Sequence, residues 1–309
     1  MKRYRIFSFD FDATAHWLVD PIREEWEEGI KEQHRKNRER IVEGLVAEYG
    51  AWESEAKREN FIALQDKPIS ILAFHNRFFE QIRNSFVMGG YYPALTAGCA
   101  LGERILNHLI LTLRDDFKAT PEYKRVYNKP QIDKWDLAIN TLESWEVLLP
   151  EVVREFRSLK NKRNAAIHFR PEVDRNDRDL ALGTILCLRS IIGKQFSGFG
   201  PEPWFISDIP DEMYIKKDWE EKPFVRRIYL PNGYAVGPYH RIEGPYPQIC
   251  INDNFEYEDR EVTDGEFRDL RAKGYKPGPY DYFEGRDEVV DAADRGRITS
   301  REAGETGEI

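Results

Sequence analysis

The chain has 309 residues, of which 41% are hydrophobic, 13% aromatic and 33% charged, and its formal net charge is -9. This composition is typical of a folded globular protein and excludes a fibrous or wholly disordered chain. The longest nearly apolar stretch, LALGTILCLRSII, is interrupted by Arg189 and is too short to span a bilayer, so we expect no membrane span.

The N-terminal segment MKRYRIFSFDFDA has no continuous apolar run of signal-peptide length before its acidic residues. Cys99, Cys187 and Cys250 are widely separated and lack CxxC spacing, which favours neither a disulfide framework nor a cysteine zinc site. We therefore expect a cytoplasmic protein that needs neither a metal nor another cofactor.

An apolar stretch at residues 4 to 11 predicts a short strand. Its sequence IFSFDFDAT fits the hhhhDxDxT nucleophile motif of haloacid-dehalogenase-like phosphatases. That chemistry needs further groups at the strand ends of an α/β sheet, whereas the sequence that follows predicts helix after helix. We reject the phosphatase interpretation and expect Asp10 and Asp12 to be solvated or to cap the next segment.

The middle of the chain predicts a series of amphipathic helices. A long charged helix is expected from Pro21, a second through residues 71 to 86, and a third after Pro93. The third carries small residues that would let a neighbouring helix approach closely: Ala97, Gly98, Ala100 and Gly102. Further helices are predicted over residues 131 to 148, 151 to 168 and 178 to 196, with boundaries at Pro150 and Pro171.

Proline, glycine and aromatic residues increase after residue 198. The segments PFVRRIYL and YAVGPYHRI flank Asn232-Gly233, which predicts a two-residue hairpin. Thr263 and Glu266 have capping-box spacing for a last helix. Trp204, Trp219 and Tyr229 are expected in the core of this module rather than stacked on bases.

Together these signals predict a mainly α fold, an antiparallel helical bundle with a small C-terminal β-rich module. Residues 1–67 are expected to form an N-terminal strand and a long charged helix, and residues 68–198 the bundle. Residues 199–276 are assigned to the β-rich module with its final helix, and residues 277–309 to a disordered acidic tail.

Charge is distributed unevenly along the chain. Residues 154–170 hold six Lys and Arg against one Glu, whereas residues 281–309 hold nine Asp and Glu against four Arg. Local charge decides what a surface attracts, so the overall acidity does not exclude a nucleic-acid partner.

The segment RNAAIH, residues 163–168, lies near the end of the helix predicted over residues 151 to 168. At 100° per residue, one stripe of this helix holds Val152, Phe156, Leu159, Arg163 and Ile167. Asn164 and His168 lie one turn apart on its flank. Because an arginine is costly to bury alone, we expect the stripe to reach a cleft or a subunit interface at Arg163.

The segment resembles the signature of HEPN (higher eukaryote and prokaryote nucleotide-binding) domains. That signature is an arginine, a polar residue directly after it, and a histidine separated from the arginine by four to six residues. Here Arg163, Asn164 and His168 match, within a resemblance that covers at best residues 68–197. Many HEPN proteins are metal-independent ribonucleases in toxin, CRISPR-associated and phage-defence systems. Their site is formed where two protomers bring their motif helices together.

RNA cleavage through the 2′-hydroxyl needs an acid/base group near neutral pKa and a fixed cation for the extra charge on the phosphorane. The resemblance implies that His168 is the acid/base residue, that Arg163 clamps the phosphate and that Asn164 orients either of them. Lys160, Lys162 and Arg170 are expected to follow the RNA backbone, or else to form an ordinary solvated helix face.

Two alternatives stay open from the residues themselves. His168 is also suited to the C-terminus of a helix, and Arg163 to pairing with an acidic residue of the next helix. The rival function is a nonenzymatic helical interaction protein that binds RNA or an acidic protein partner. On the leading hypothesis the partners are RNA, a second copy of the chain, and an antitoxin or defence-system protein.

Overall fold

The computed structural model describes residues 1–167, 176–243 and 250–274, and for residues 165–167 it describes the backbone alone. The described residues are mainly helical, with three small antiparallel sheets of two strands each, as the mainly α prediction required. The predicted boundary at Pro171 and the acidic tail expected over residues 277–309 lie outside the described residues.

The N-terminal part places two strands before its first helices. Its elements are β1 (Arg3–Ile6), β2 (Phe9–Asp12), α1 (Thr14–Val19), α2 (Glu28–Tyr49), α3 (Ser54–Ala63) and β3 (Lys67–Ile71). The long charged helix therefore starts at Glu28, later than the prediction from Pro21. None of the residues of α2 is fully buried, which agrees with its charged composition.

Six helices follow, and the longest of them lies at the centre. They are α4 (Phe74–Val87), α5 (Tyr91–Leu113), α6 (Tyr123–Val126), α7 (Trp135–Ser144), α8 (Pro150–Ile167) and α9 (Asp177–Gln195). The central helix α5 packs against α4, α7, α8 and α9, and its apolar face is buried from Ala94 to Leu113. Pro150 is the first residue of α8, a position where its missing backbone donor costs nothing.

Small residues on α5 set how closely its neighbours approach, as the sequence predicted. A Cβ atom added to Gly98 would lie 2.8 Å from Cγ2 of Thr184 on α9. One added to Gly102 would collide with the side chain of Leu159 on α8 and would lie 2.9 Å from Cη2 of Trp135. The close packing of α5, α7 and α8 therefore depends on Gly102.

The second helix was predicted to start at Ile71, and this start is wrong. Ile71 belongs to β3, which pairs antiparallel with β2 so that Ile71 lies opposite Phe9. The apolar side chain of Ile71 is fully buried in this pairing, so its hydrophobic signal comes from a strand, and α4 starts only at Phe74.

The C-terminal part contains short helical turns, three strands and one helix. Its longer elements are a π-helical turn (Val225–Tyr229), β4 (Gly233–Val236), β5 (Arg241–Glu243), β6 (Cys250–Asn252) and α10 (Asp264–Gly274). The capping box is confirmed, because the Thr263 backbone N–H donates to Glu266 and the Glu266 N–H donates to the Thr263 hydroxyl.

The hairpin predicted at Asn232-Gly233 is wrong. The segment before it is helical, and β4 pairs instead with β1, with Ile6 opposite Gly233 and Arg3 opposite Val236. Gly233 serves this pairing, since a Cβ there would lie 2.8 Å from the Arg5 carbonyl oxygen. The two N-terminal strands therefore have different partners. β1 pairs with β4 of the C-terminal part, and β2 pairs with β3, which directly precedes the helical bundle.

Candidate functional site

The apolar stripe of α8 leaves the core at Arg163. Val152, Phe156 and Leu159 are completely buried, as predicted from their spacing. One turn further, the side chain of Arg163 is 32% exposed. A permanently charged guanidinium thus lies at the rim of the bundle, directly beyond the last buried leucine of its stripe.

Glu103 of α5 faces this guanidinium. Its Oε2 atom lies 3.8 Å from Nη2 of Arg163, and the same oxygen accepts a hydrogen bond of 3.1 Å from the indole N–H of Trp135. Trp135 is the first residue of α7 and is almost completely buried against Gly102, the residue before Glu103. The close approach of three helices at Gly102 therefore places Glu103 beside Arg163.

The arginine side of α8 carries two further cross-helix ion pairs. Nζ of Lys160 lies 2.6 and 2.7 Å from the two carboxylate oxygens of Asp136, and Nη2 of Arg157 lies 2.6 Å from Oε2 of Glu143. Both acids lie on α7, which runs antiparallel to α8. The basic segment is therefore less positive in three dimensions than in sequence, because acids of α5 and α7 neutralise one side of it.

Lys162 lies on another side of the helix. Its ammonium group extends over α9 at Gly183, where an added Cβ would lie 3.0 Å from Nζ. The absence of a side chain at Gly183 allows this crossing. The structure thus separates Lys162 from Lys160, since two residues along a helix correspond to a rotation of about 200°.

Two buried thiols lie beneath this part of α8. Burial raises the pKa of Cys99 to about 11 against the opposing effect of Arg163 and Lys162. Burial and the neighbouring Glu155 raise the pKa of Cys187 to about 12. Both groups are thiols rather than thiolates at neutral pH, which makes them poor nucleophiles. Cys99, Cys187 and Cys250 are all free.

Of the predicted site residues, the structure brings Arg163 and Asn164 to the same helical turn, and Asn164 is half-buried. Lys160 is held by Asp136, and Lys162 points away over α9. His168 and Arg170 lie outside the described residues. Sequence reasoning missed Trp135 and Asp136 as partners of the site, because only the packing of α7 on α8 reveals them.

Asp10 and Asp12, the acids of the rejected phosphatase motif, have structural partners. Asp12 accepts a hydrogen bond of 2.8 Å from the backbone N–H of Thr14, the first residue of α1, although the N-cap position itself is Ala13. Asp10 is not simply solvated: its Oδ2 lies 2.6 Å from Nζ of Lys67, which also contacts Glu80 at 3.0 Å. Glu80 and Asp10 raise the pKa of this lysine although burial opposes them, so the ion pairs tie β2 and β3 to α4.

The aromatic residues of the C-terminal part lie in the core. Trp204 and Tyr229 are buried with their ring centroids 5.1 Å apart, and the hydroxyl of Tyr229 donates to backbone carbonyls at Gln195 and Ser197. Neither ring offers a free face for a base, which confirms the prediction for these two residues. Trp219 is only partly buried and packs against the same core, with its ring centroid 6.0 Å from that of Trp204.

Comparisons of the chain with models of protein families, with curated proteins and with solved structures give no match. Among the helices of the described ranges, none combines the length and the apolar character that a bilayer crossing requires.

Proposed function

We propose that this protein is a metal-independent endoribonuclease of the HEPN type, with Arg163 as the phosphate clamp and His168 as the acid/base residue. The observation that carries the proposal is the position of Arg163. It continues a buried apolar stripe, yet its guanidinium is partly exposed, and its only described carboxylate partner, Glu103, lies 3.8 Å away.

The chemistry assigned to the site follows from its residue types. A histidine with a pKa near neutrality can take the proton of the 2′-hydroxyl or give one to the leaving 5′-oxygen. A guanidinium offers two parallel N–H donors to the phosphate and stabilises the additional negative charge of the phosphorane. Asn164, on the same turn as Arg163, is suited to orienting either group.

The proposal includes a second copy of the chain. A helix end that carries an arginine at the rim of a bundle can meet its own counterpart across a two-fold axis, and the residues of both copies then form one composite site. A neutralising antitoxin or another defence-system protein is the further partner that the family resemblance implies. A cytoplasmic location, where RNA is present and thiols stay reduced, belongs to the same proposal.

The test is RNA cleavage by purified full-length protein in excess EDTA. Wild type is expected to cleave tRNA or mRNA, and Arg163→Ala and His168→Ala to lose activity by about 10²-fold or more. Arg154→Ala is the matched control, because Arg154 is an exposed arginine of the same helix, on a different turn from Arg163. It should cleave as well as wild type.

Two outcomes contradict the proposal. The first is RNA that stays intact when it is incubated with wild type at concentrations at which the chain self-associates. This result would show that the protein is not a ribonuclease. The second is equal cleavage by wild type and both site variants, which would show that neither Arg163 nor His168 is catalytic. RNA binding without cleavage in the first case would favour the nonenzymatic interaction protein.

A further inference from the structure

Three ion pairs along one side of α8 form a ladder, defined here as Arg157–Glu143, Lys160–Asp136 and Arg163–Glu103. The pairs at Arg157 and Lys160 are short, with closest distances of 2.6 Å. The pair at Arg163 is 3.8 Å long, beyond hydrogen-bond distance. Arg163 is therefore the least tightly paired cation of the ladder.

Glu103 is held by a group other than the arginine. The indole N–H of Trp135 donates to Oε2, the same oxygen that faces Arg163, and this tryptophan is fixed by its burial. The carboxylate thus keeps its position whether or not Arg163 stays next to it. Its side chain is 35% exposed and that of Arg163 is 32% exposed, so solvent reaches both members of the pair.

We propose that Glu103 is an electrostatic latch: in the free protein it takes the place of an RNA phosphate at Arg163, and RNA binds by displacing the guanidinium from this carboxylate. The inference rests on the proposed function and assigns to the same site a residue that sets its affinity for RNA. An exposed or half-exposed ion pair contributes little free energy, so a phosphate with two acceptor oxygens can replace it.

A charge-neutral replacement at Glu103 separates the latch from a structural role. Glu103→Gln keeps the length of the side chain and an oxygen that can accept the Trp135 hydrogen bond, but it removes the negative charge opposite Arg163. The latch predicts that this variant binds RNA about two- to fivefold more tightly than wild type at low salt, the effect of losing one competing exposed ion pair. The gain should shrink as salt screens the pair.

Glu143→Gln is the matched control. It removes the same charge from the same ladder and at similar exposure, but next to Arg157, about 9 Å along α8 from Arg163. Binding is measured with a short 2′-O-methyl RNA, which cannot be cleaved through its 2′-oxygen. The latch predicts tighter binding for Glu103→Gln and unchanged binding for Glu143→Gln, with thermal unfolding used to verify that both variants are folded.

The possible failures are distinguishable. If wild type binds and cleaves RNA but Glu103→Gln binds equally or more weakly, the latch is wrong and the proposed function stands. Equal tightening by both variants also overturns the latch, since general surface charge then explains the gain. If wild type neither binds nor cleaves RNA, the proposed function and the latch fall together.

Discussion

Arg163 differs from Arg157 and Lys160, the other two cations of the ladder, in having room to change its partner. Lys160 donates to both carboxylate oxygens of Asp136. Arg163 faces a single oxygen of Glu103, and that oxygen already accepts a hydrogen bond from Trp135. A guanidinium in this position can rotate towards an incoming phosphate at small energetic cost. The clamp role at the residue scale therefore depends on the planar fork of arginine as well as on its charge.

Replacing Arg163 by lysine tests whether the two parallel N–H donors of the guanidinium are needed in addition to its charge. Arg163→Lys keeps the positive charge but loses the two parallel donors, so we expect RNA affinity to stay within about twofold and the cleavage rate to fall about tenfold or more. Single-turnover cleavage and binding of the 2′-O-methyl RNA measure the two quantities separately. Full cleavage activity in Arg163→Lys would show that a point charge suffices.

At the scale of elements, the meeting of α5, α7 and α8 at Gly102 positions the site. The missing side chain lets Leu159 and Trp135 pack against α5, and Glu103 and Arg163 follow directly beyond this contact. The stability of the bundle and the geometry of the site are therefore coupled through one glycine.

We expect Gly102→Ala to lower the free energy of unfolding by about 1–2 kcal/mol, because the added methyl group overpacks a contact between buried side chains and this cost outweighs the gain of about 0.5–1 kcal/mol from alanine in a helix. Gly44→Ala on α2 is the matched control. Gly44 has no atom within 4 Å of an added Cβ, so alanine there should stabilise the helix by about 0.5–1 kcal/mol. Urea unfolding measures both changes, and a stabilising effect of Gly102→Ala would contradict the close approach.

The helices were predictable because their evidence is local. The 3.6-residue spacing of apolar residues identified α5, α7, α8 and α9 and placed Val152, Phe156 and Leu159 on the buried face. The hairpin at Asn232-Gly233 failed because β4 pairs with β1 from the opposite end of the chain, and no local pattern carries that information. The position of Arg163 on the same stripe as Leu159 was predictable because helical spacing is local, whereas Trp135 and Asp136 were not predictable because they reach the site only through the packing of α7.

For the molecule as a whole, two buried histidines make the folded state sensitive to acid. Burial lowers the pKa of His75 to about 3, with His108 and Lys67 adding to the effect. Burial and Arg271 lower the pKa of His240 to about 4, against the effect of its contact with the Gly237 carbonyl. Both are neutral in the folded protein at pH values where they are protonated in the unfolded chain.

Stability should therefore decrease as the pH falls from about 6.5 to about 4, since the unfolded state binds protons that the native state excludes. Each histidine contributes about 1.4 kcal/mol per pH unit in this window, up to about 3 kcal/mol. Denaturant unfolding of wild type and His75→Leu across this range measures the difference. An identical pH slope in both proteins would contradict the assignment for His75.

Self-association is the second property of the whole molecule that the proposed function requires. Light scattering at the concentrations used for cleavage should give a dimer or a larger assembly, because the composite site needs residues of two copies. A monomer under conditions in which RNA is cleaved would remove the composite site while leaving cleavage itself to be explained by one chain.

The most direct measurement is the chemistry of the RNA ends produced by wild type in excess EDTA. Attack by the 2′-hydroxyl, with histidine and arginine as the catalytic groups, predicts products with 2′,3′-cyclic phosphate and 5′-hydroxyl ends. Products with 3′-hydroxyl ends, or cleavage that EDTA abolishes, would contradict a metal-independent mechanism at Arg163 and His168.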